Sequence, residues 1–232
     1  MKPRKSLYRR HRFPPDIIRH AVWLYFRFSL SFRDVEDLLA ERGVTVSYET
    51  VRRWCTKFGA RYATRLRRRH GQHGDTWHVD ELFVRIRGKQ HYLYRAVDQN
   101  GDVIDILVQK RRGTDAAVRF FRKLLKRQGG CPRRLVTDKL RSYPTARRRV
   151  MPDVVRVTDR YANNRIEVPH ESIRQRERIM RRFKTALQAQ RFLSIHGQVQ
   201  NLFRLGRHLL RARNCRLFRM RAFFQWQDAT CA

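Results

Sequence analysis

Three carboxylates stand out from an overwhelmingly basic chain: Asp80 in Trp77-His78-Val79-Asp80-Glu81, Asp138 in Val136-Thr137-Asp138-Lys139, and Glu167 in Asn163-Asn164-Arg165-Ile166-Glu167. Carboxylates are hard oxygen donors. Three gathered at one place can hold Mg²⁺, with Mn²⁺ as a substitute, and such a site supports in-line phosphoryl displacement. Arg174 lies seven residues past Glu167, two helical turns on and hence on the same face, with Arg178 and Arg181 nearby. That row of cations would grip a phosphate backbone. Taken singly, each acid also has a plainer role: Asp80 and Glu81 as rim positions of an exposed strand, Asp138 as a helix N-cap, and Asn164 with Glu167 as a capping box. Together, and in this order along the chain, they favour chemistry.

The surroundings say what the acids would act on. The chain carries 54 Lys+Arg against 20 Asp+Glu, a formal charge of +34, far more than solubility asks of a folded protein. A surface of that kind seeks a polyanion. At 41% hydrophobic and 11% aromatic residues the chain can still bury real cores, which excludes a disordered basic tail. The cysteines Cys55, Cys131, Cys215 and Cys231 are far apart, so neither a zinc ribbon nor a disulfide framework is expected. The apolar runs are too short for a membrane span, and a reducing cytosol is the expected location.

Positioning the acids requires strands and helices in a particular order. From Trp77 the pattern turns strand-like through Arg87, Gly88-Lys89 makes a turn, Tyr92–Val97 returns, Asp98-Gln99-Asn100-Gly101 turns again, and Val103–Val108 is a third strand. Thr114–Arg127 is an amphipathic helix with Ala117, Val118, Phe121, Leu124 and Leu125 inward. Arg134–Thr137 is a short buried strand ending at Asp138. A further strand near Val154–Val157 precedes a helical region from Asn163 to about Arg213, broken near Lys184–Ala186. The fold class is therefore α/β, a ribonuclease-H-like catalytic domain with a mixed sheet flanked by helices. Its first and fourth strands would lie side by side, ~4.8 Å apart, bringing Asp80 and Asp138 to one rim. Glu167 would close the site from the following helix. Pro169 restricts Val168 and lacks an amide donor, so that helix should begin late or kink. Glu81, Asp98, Asp102 and Asp105 read as turn or strand-surface acids.

Ahead of this domain, a basic arm is followed by three helical segments. Pro15 opens the first; Ser31 with Asp34 opens the second, which stops at Gly43; Ser47 caps the third, Tyr48–Phe58. A helix, a Gly-containing turn and a helix whose outer face carries Thr50, Arg52, Arg53 and Lys57 make the layout of a helix-turn-helix. An ordinary three-helix unit with a solvated basic face is the competing interpretation. Whether Arg52 and Arg53 read guanine edges or hold phosphates stays open. The resulting organisation is residues 1–60 as basic arm and helix-turn-helix domain, 61–75 as basic linker, 76–185 as the catalytic core, and 186–232 as helices that complete the core or form an oligomer interface.

These motifs, with Arg33 and Glu36, Thr50-Val51-Arg52-Arg53-Trp54, Tyr92-Leu93-Tyr94-Arg95-Ala96-Val97-Asp98, Thr137-Asp138-Lys139-Leu140-Arg141-Ser142-Tyr143, and Arg176-Glu177-Arg178 leading to Met180-Arg181-Arg182-Phe183-Lys184, resemble the bacterial DDE transposases of the IS6 (IS26-like) insertion-sequence family. The resemblance covers almost the whole chain. It implies that Asp80, Asp138 and Glu167 are catalytic and metal-holding, and that Arg174 is the family's basic residue past the glutamate. Lys139 joins Arg174, Arg178 and Arg181 as expected DNA contacts. The resemblance further implies double-stranded DNA as partner, both element ends and target, and the bacterial cytoplasm as location, at the nucleoid when bound to DNA. It also implies a homodimer or higher homo-oligomer on that DNA, 3′-end nicking, and strand transfer giving a cointegrate. Two other functions remain in play: another ribonuclease-H-like nuclease or integrase, and a DNA-binding protein without catalysis.

Overall fold

The computed structural model describes residues 6–158, 173–180, 183–204 and 210–231. In chain order its elements are α1 (Pro15–Arg27), α2 (Phe32–Ala40), α3 (Tyr48–Arg69), β1 (Thr76–Ile86), β2 (Lys89–Asp98), β3 (Val103–Gln109), α4 (Thr114–Gln128), β4 (Arg134–Thr137), α5 (Ser142–Val150), β5 (Val155–Val157), α6 (Ala186–Phe203) and α7 (Ala212–Thr230). Residues 173–179 are also helical. Contacts divide the chain into two units, Gly71–Ser194 and Met1–His70 with Ile195–Ala232.

In the first of these units the sheet runs β3-β2-β1-β4-β5. β1 is antiparallel to β2 and parallel to β4, and β4 is parallel to β5. This is the mixed ribonuclease-H-like sheet. The β1–β2 hairpin turns at Arg87-Gly88, one residue earlier than the sequence suggested. Both residues have positive φ, 49° and 78°, the backbone that a two-residue hairpin of right-handed twist demands. Asp98 fastens the next turn, its Oδ1 accepting from the amides of Asn100 and Asp102, each at 2.9 Å. Central β1 is buried on both faces in its first half and alternates only beyond Glu81, because helices and neighbouring strands cover it where the acid sits. Trp77 and Val79 pack into one core with Phe120, Phe121 and Leu124 of α4, Leu135 of β4, and Tyr143 and Ala146 of α5. Gly129, at φ 72°, ends α4 in the left-handed conformation.

Helix α5 was not read from the sequence. Its Arg147-Arg148-Arg149 run hid the signal, although Tyr143, Ala146 and Val150 are spaced i, i+3, i+7 and Pro144 suits a first turn. Asp105 is a clear correction. Instead of a surface acid it is 3% exposed, bonded by Lys123 Nζ at 3.0 Å and Arg127 Nη1 at 2.6 Å from α4. Burial is tolerable there because two cations answer one carboxylate.

In the helical unit the caps form as the sequence expects. Ser31 and Asp34 make both bonds of a capping box, and the Ser47 hydroxyl accepts from the Thr50 amide. The third helix, however, does not stop at Phe58. Tyr62, Ala63 and Leu66 continue the apolar stripe of Val51, Trp54, Cys55 and Phe58, so α3 runs 22 residues through most of the basic stretch expected to be a linker. Arginines occupy its outer face and mask the stripe. Gly59 sits where α3 meets Phe26 of α1 and Ile195: a Cβ there would lie 2.9 Å and 3.1 Å from those side chains. The end of α6 bonds α1, with His196 Nδ1 2.9 Å from the Phe26 carbonyl. α7 brings Trp226 against Tyr62. Among the described residues no helix is long and apolar enough to cross a membrane.

Candidate active site

The β1–β4 ladder is the device that builds the site. Its last parallel pair is Val79 with Thr137, so the next residue of each strand, Asp80 and Asp138, leaves the ladder side by side on chains ~4.8 Å apart. A single-residue slip in either strand would separate them. Asp138 is exposed, and its side chain accepts from the Leu140 amide at 3.0 Å. The backbone beneath it is pinned independently. Arg156 of β5 donates from Nε to Thr137 Oγ1 and from Nη2 to the Asp138 carbonyl, both at 2.8 Å. Asp80 is instead buried, on the sheet face opposite Val79, and Arg95 of β2 grips it: Nη2 to Oδ2 at 2.8 Å and Nε to Oδ1 at 3.3 Å.

The sequence did not single out what surrounds these acids on the α4 side. Glu81, taken for a surface acid, is half-buried opposite Tyr94. Burial raises its carboxyl pKa and Asp138 adds repulsion, while a hydrogen bond from the Tyr94 hydroxyl and the charge of Arg112 pull it down. Tyr143 is fully buried. Burial, and then the charges of Asp138, Asp80 and Glu81, push its phenol well above the ordinary tyrosine range. Tyr143 therefore lies within electrostatic reach of all three acids. Glu81 Oε2 and Tyr143 Oη are buried with no hydrogen-bond partner among the described residues, unusual for atoms of such polarity. Asp80 and Asp138 are hard oxygen donors of the kind a divalent cation such as Mg²⁺ takes; among the described residues no group of three or more Asp, Glu, His or Cys side chains is placed to hold one.

Glu167 and Arg181, with Asn163, Asn164 and Pro169, lie outside the described residues. Within the helical stretch 173–179, Arg174 and Arg178 are both exposed and one turn apart. Arg176 between them is buried, its guanidinium 5.0 Å from the Phe192 ring centre. Lys139 is exposed beside Asp138.

On α3, Arg52 and Arg53 are exposed as expected, but both are engaged with Glu49 one turn back. Arg52 makes a two-point contact at 2.7 and 2.8 Å, and Arg53 Nε reaches the same carboxylate at 3.3 Å. The bond and charge of Arg52, followed by those of Arg53, lower the Glu49 carboxyl pKa to about 2. Lys57 Nζ lies 2.8 Å from His11 Nε2, and Thr50 Oγ1 lies 3.0 Å from the Ser47 hydroxyl. Glu49 therefore competes with any phosphate for two of the four predicted contacts. Glu49→Gln should tighten DNA binding roughly 3- to 10-fold at low salt and steepen its salt dependence, as measured by fluorescence anisotropy across a salt series.

A family model for a DDE domain, DDE_Tnp_IS240, matches residues 74–205, more than half of the chain. The transposase for the insertion sequence-like element IS431mec of Staphylococcus aureus is 35% identical over 187 residues, covering 78% of this chain and 83% of that protein. The Staphylococcus aureus transposase for insertion sequence element IS257 in transposon Tn4003 shows the same identity and coverage. Among solved structures, the HTLV-2 integrase catalytic core domain in complex with magnesium covers 58% of this chain and 88% of its own, at 13% identity and a TM-score of 0.43. A DDE-domain match across the strands that carry Asp80 and Asp138, joined to this identity over most of two transposases, shows that the chain belongs to the IS6 family of DDE transposases.

Proposed function

We propose that this DNA transposase binds the terminal inverted repeats of an insertion sequence, nicks at the element's 3′ ends and transfers those ends to target DNA, giving a cointegrate. Asp80, Asp138 and Glu167 are the catalytic and metal-holding carboxylates. The observation that supports this most is the parallel β1–β4 register, which ends at Val79 with Thr137, one residue before Asp80 and Asp138. DDE chemistry is metal-dependent; here we assign Mg²⁺, with Mn²⁺ as a substitute. When bound, the divalent ion would supply positive charge where phosphoryl oxygens gain negative charge.

The chain's own residues orient and hold. In the first step water attacks the phosphorus at the element end. A P–O bond forms as the bond to the 3′ oxygen breaks, freeing a 3′-OH. That hydroxyl then attacks a target phosphorus and displaces the target's own 3′ oxygen. One P–O bond is made for each one lost, so neither ATP nor a covalent enzyme intermediate is required. Positioning by the carboxylate rim supplies most of the advantage. Arg174, Arg178, Arg181 and Lys139 hold the backbone of the cleaved strand, and α3 with Thr50, Arg52, Arg53 and Lys57 enters the major groove of the end sequence. A homodimer or higher homo-oligomer on the DNA, within the bacterial cytoplasm, brings two ends together.

Labelled DNA carrying the gene's own flanking ends, incubated with the protein and Mg²⁺, tests the proposal. The expected result is nicking at the 3′ end followed by joining to plasmid target, both abolished by EDTA. Salt-sensitive binding with no metal-dependent product would favour a DNA-binding protein without catalysis.

A further inference from the structure

The chain has 54 Lys and Arg, and among the described residues only Arg95 and Arg176 are buried away from any phosphate. Arg95 has 0% exposure. It is the direct cross-strand partner of Asp80 in the β1–β2 register, and its planar fork takes both carboxylate oxygens, at 2.8 and 3.3 Å. A buried guanidinium cannot bind DNA. Nor is stability a sufficient reason for it, since a desolvated ion pair gains little over a well-packed apolar pair of the same volume. What the two-point contact does achieve is orientation: it fixes the plane of one carboxylate at the rim that Asp138 shares.

We infer that Arg95 is a positioning residue, a resident counter-charge that holds the Asp80 carboxylate in place before a divalent cation binds and that competes with the cation for the same oxygens. The inference rests on Asp80 being a cation ligand, as assigned above. Its physical consequence is unusual for a residue at an active site: removing it should strengthen cation binding. A positive charge a few ångströms from the incoming ion opposes it, and the two Asp80 oxygens are occupied until the guanidinium gives way.

The test is Mn²⁺ alone, titrated into the full-length protein and followed by loss of the free-ion paramagnetic resonance signal, with thermal unfolding in parallel. Arg95→Met should bind Mn²⁺ ~10-fold more tightly than the native protein. Its Tm without metal should be lower, and the rise on adding Mn²⁺ larger. A merely structural arginine would lower Tm while leaving Mn²⁺ affinity unchanged or weaker, and that result overturns the inference. Should Arg95→Met fail to fold, Arg95→Lys decides. Its ammonium keeps the charge but not the fork, so binding roughly threefold tighter than native is expected, and binding no tighter than native overturns the inference. Asp80→Asn separates the two levels of the argument. Unchanged Mn²⁺ binding in Asp80→Asn removes Asp80 as a ligand and the inference with it. Binding lost in Asp80→Asn but unchanged in Arg95→Met overturns the role of Arg95 alone.

Discussion

Asp138→Ala protein is expected to bind end DNA at least as well as the native chain and to lose 3′-end nicking and strand transfer by ~10³-fold or more, about 4 kcal/mol of transition-state stabilisation. The structure says why the fold should survive. Asp138 is exposed, and among the described residues its side chain makes one hydrogen bond the truncation would break, to the Leu140 amide, at most about 1 kcal/mol. The strand end itself is held through main-chain atoms. Thr137 Oγ1 and Arg156 Nη2 both donate to the Asp138 carbonyl, at 2.9 and 2.8 Å, and neither depends on the carboxylate. Loss of chemistry with a melting temperature lowered by no more than ~4 °C would place the effect at the reacting phosphate. DNA affinity should rise slightly, because one negative charge leaves a surface that attracts phosphate. Native rates of nicking in this variant would remove Asp138 from the catalytic set.

How much of this was legible in the sequence depends on which physical signal each feature carries. The sheet order follows from period-two runs and turn residues, and the turn at Asp98–Gly101 and the boundaries of β4 appear where those signals put them. The pairing of Asp80 with Asp138 was legible too, because a parallel neighbour relation between first and fourth strands leaves little freedom at their ends. Arginine misled twice, in opposite ways. On α3 and α5 runs of consecutive arginines between the apolar positions hid a helical stripe, because a cluster of like charges reads as a solvated linker while the apolar residues three and four apart carry the period. Arg95 in the sheet and Arg176 in the helical stretch 173–179 stand in motifs as two more cations of a basic chain, yet both are buried. Burial of a charge is a tertiary property, decided by which carboxylate or ring lies across the gap, and one strand's sequence does not contain its partner. Glu81 was missed for the same reason: its neighbours Tyr94, Tyr143 and Arg112 come from three other places in the chain.

The C-terminal residues supply the second large effect, on stability. The sequence left residues 186–232 between core completion and an oligomer interface; residues Ile195–Ala232 group with the N-terminal helices. Trp226 of α7 is 3% exposed. Its ring meets Tyr62 edge-on at 5.4 Å and lies 6.4 Å from Phe203. One turn on, the Thr230 carbonyl accepts from the Tyr8 hydroxyl at 2.6 Å, and Tyr8 is also 2.6 Å from the Tyr62 hydroxyl. Removing the indole would open a cavity under that network and release the side chain that fixes Tyr62. Trp226→Ala should therefore cost about 3–5 kcal/mol, read as a lower midpoint in urea unfolding of the helical unit. Phe224, two residues away on the same helix and 62% exposed, is the internal comparison, and Phe224→Ala should stay within ~0.5 kcal/mol of native. Equal, small effects from both would mean that α7 adds little to this unit in solution. A large effect confined to Trp226 makes α7 an integral part of the unit that carries α3. The basic helix proposed to read DNA would then depend for its stability on residues about 160 positions downstream.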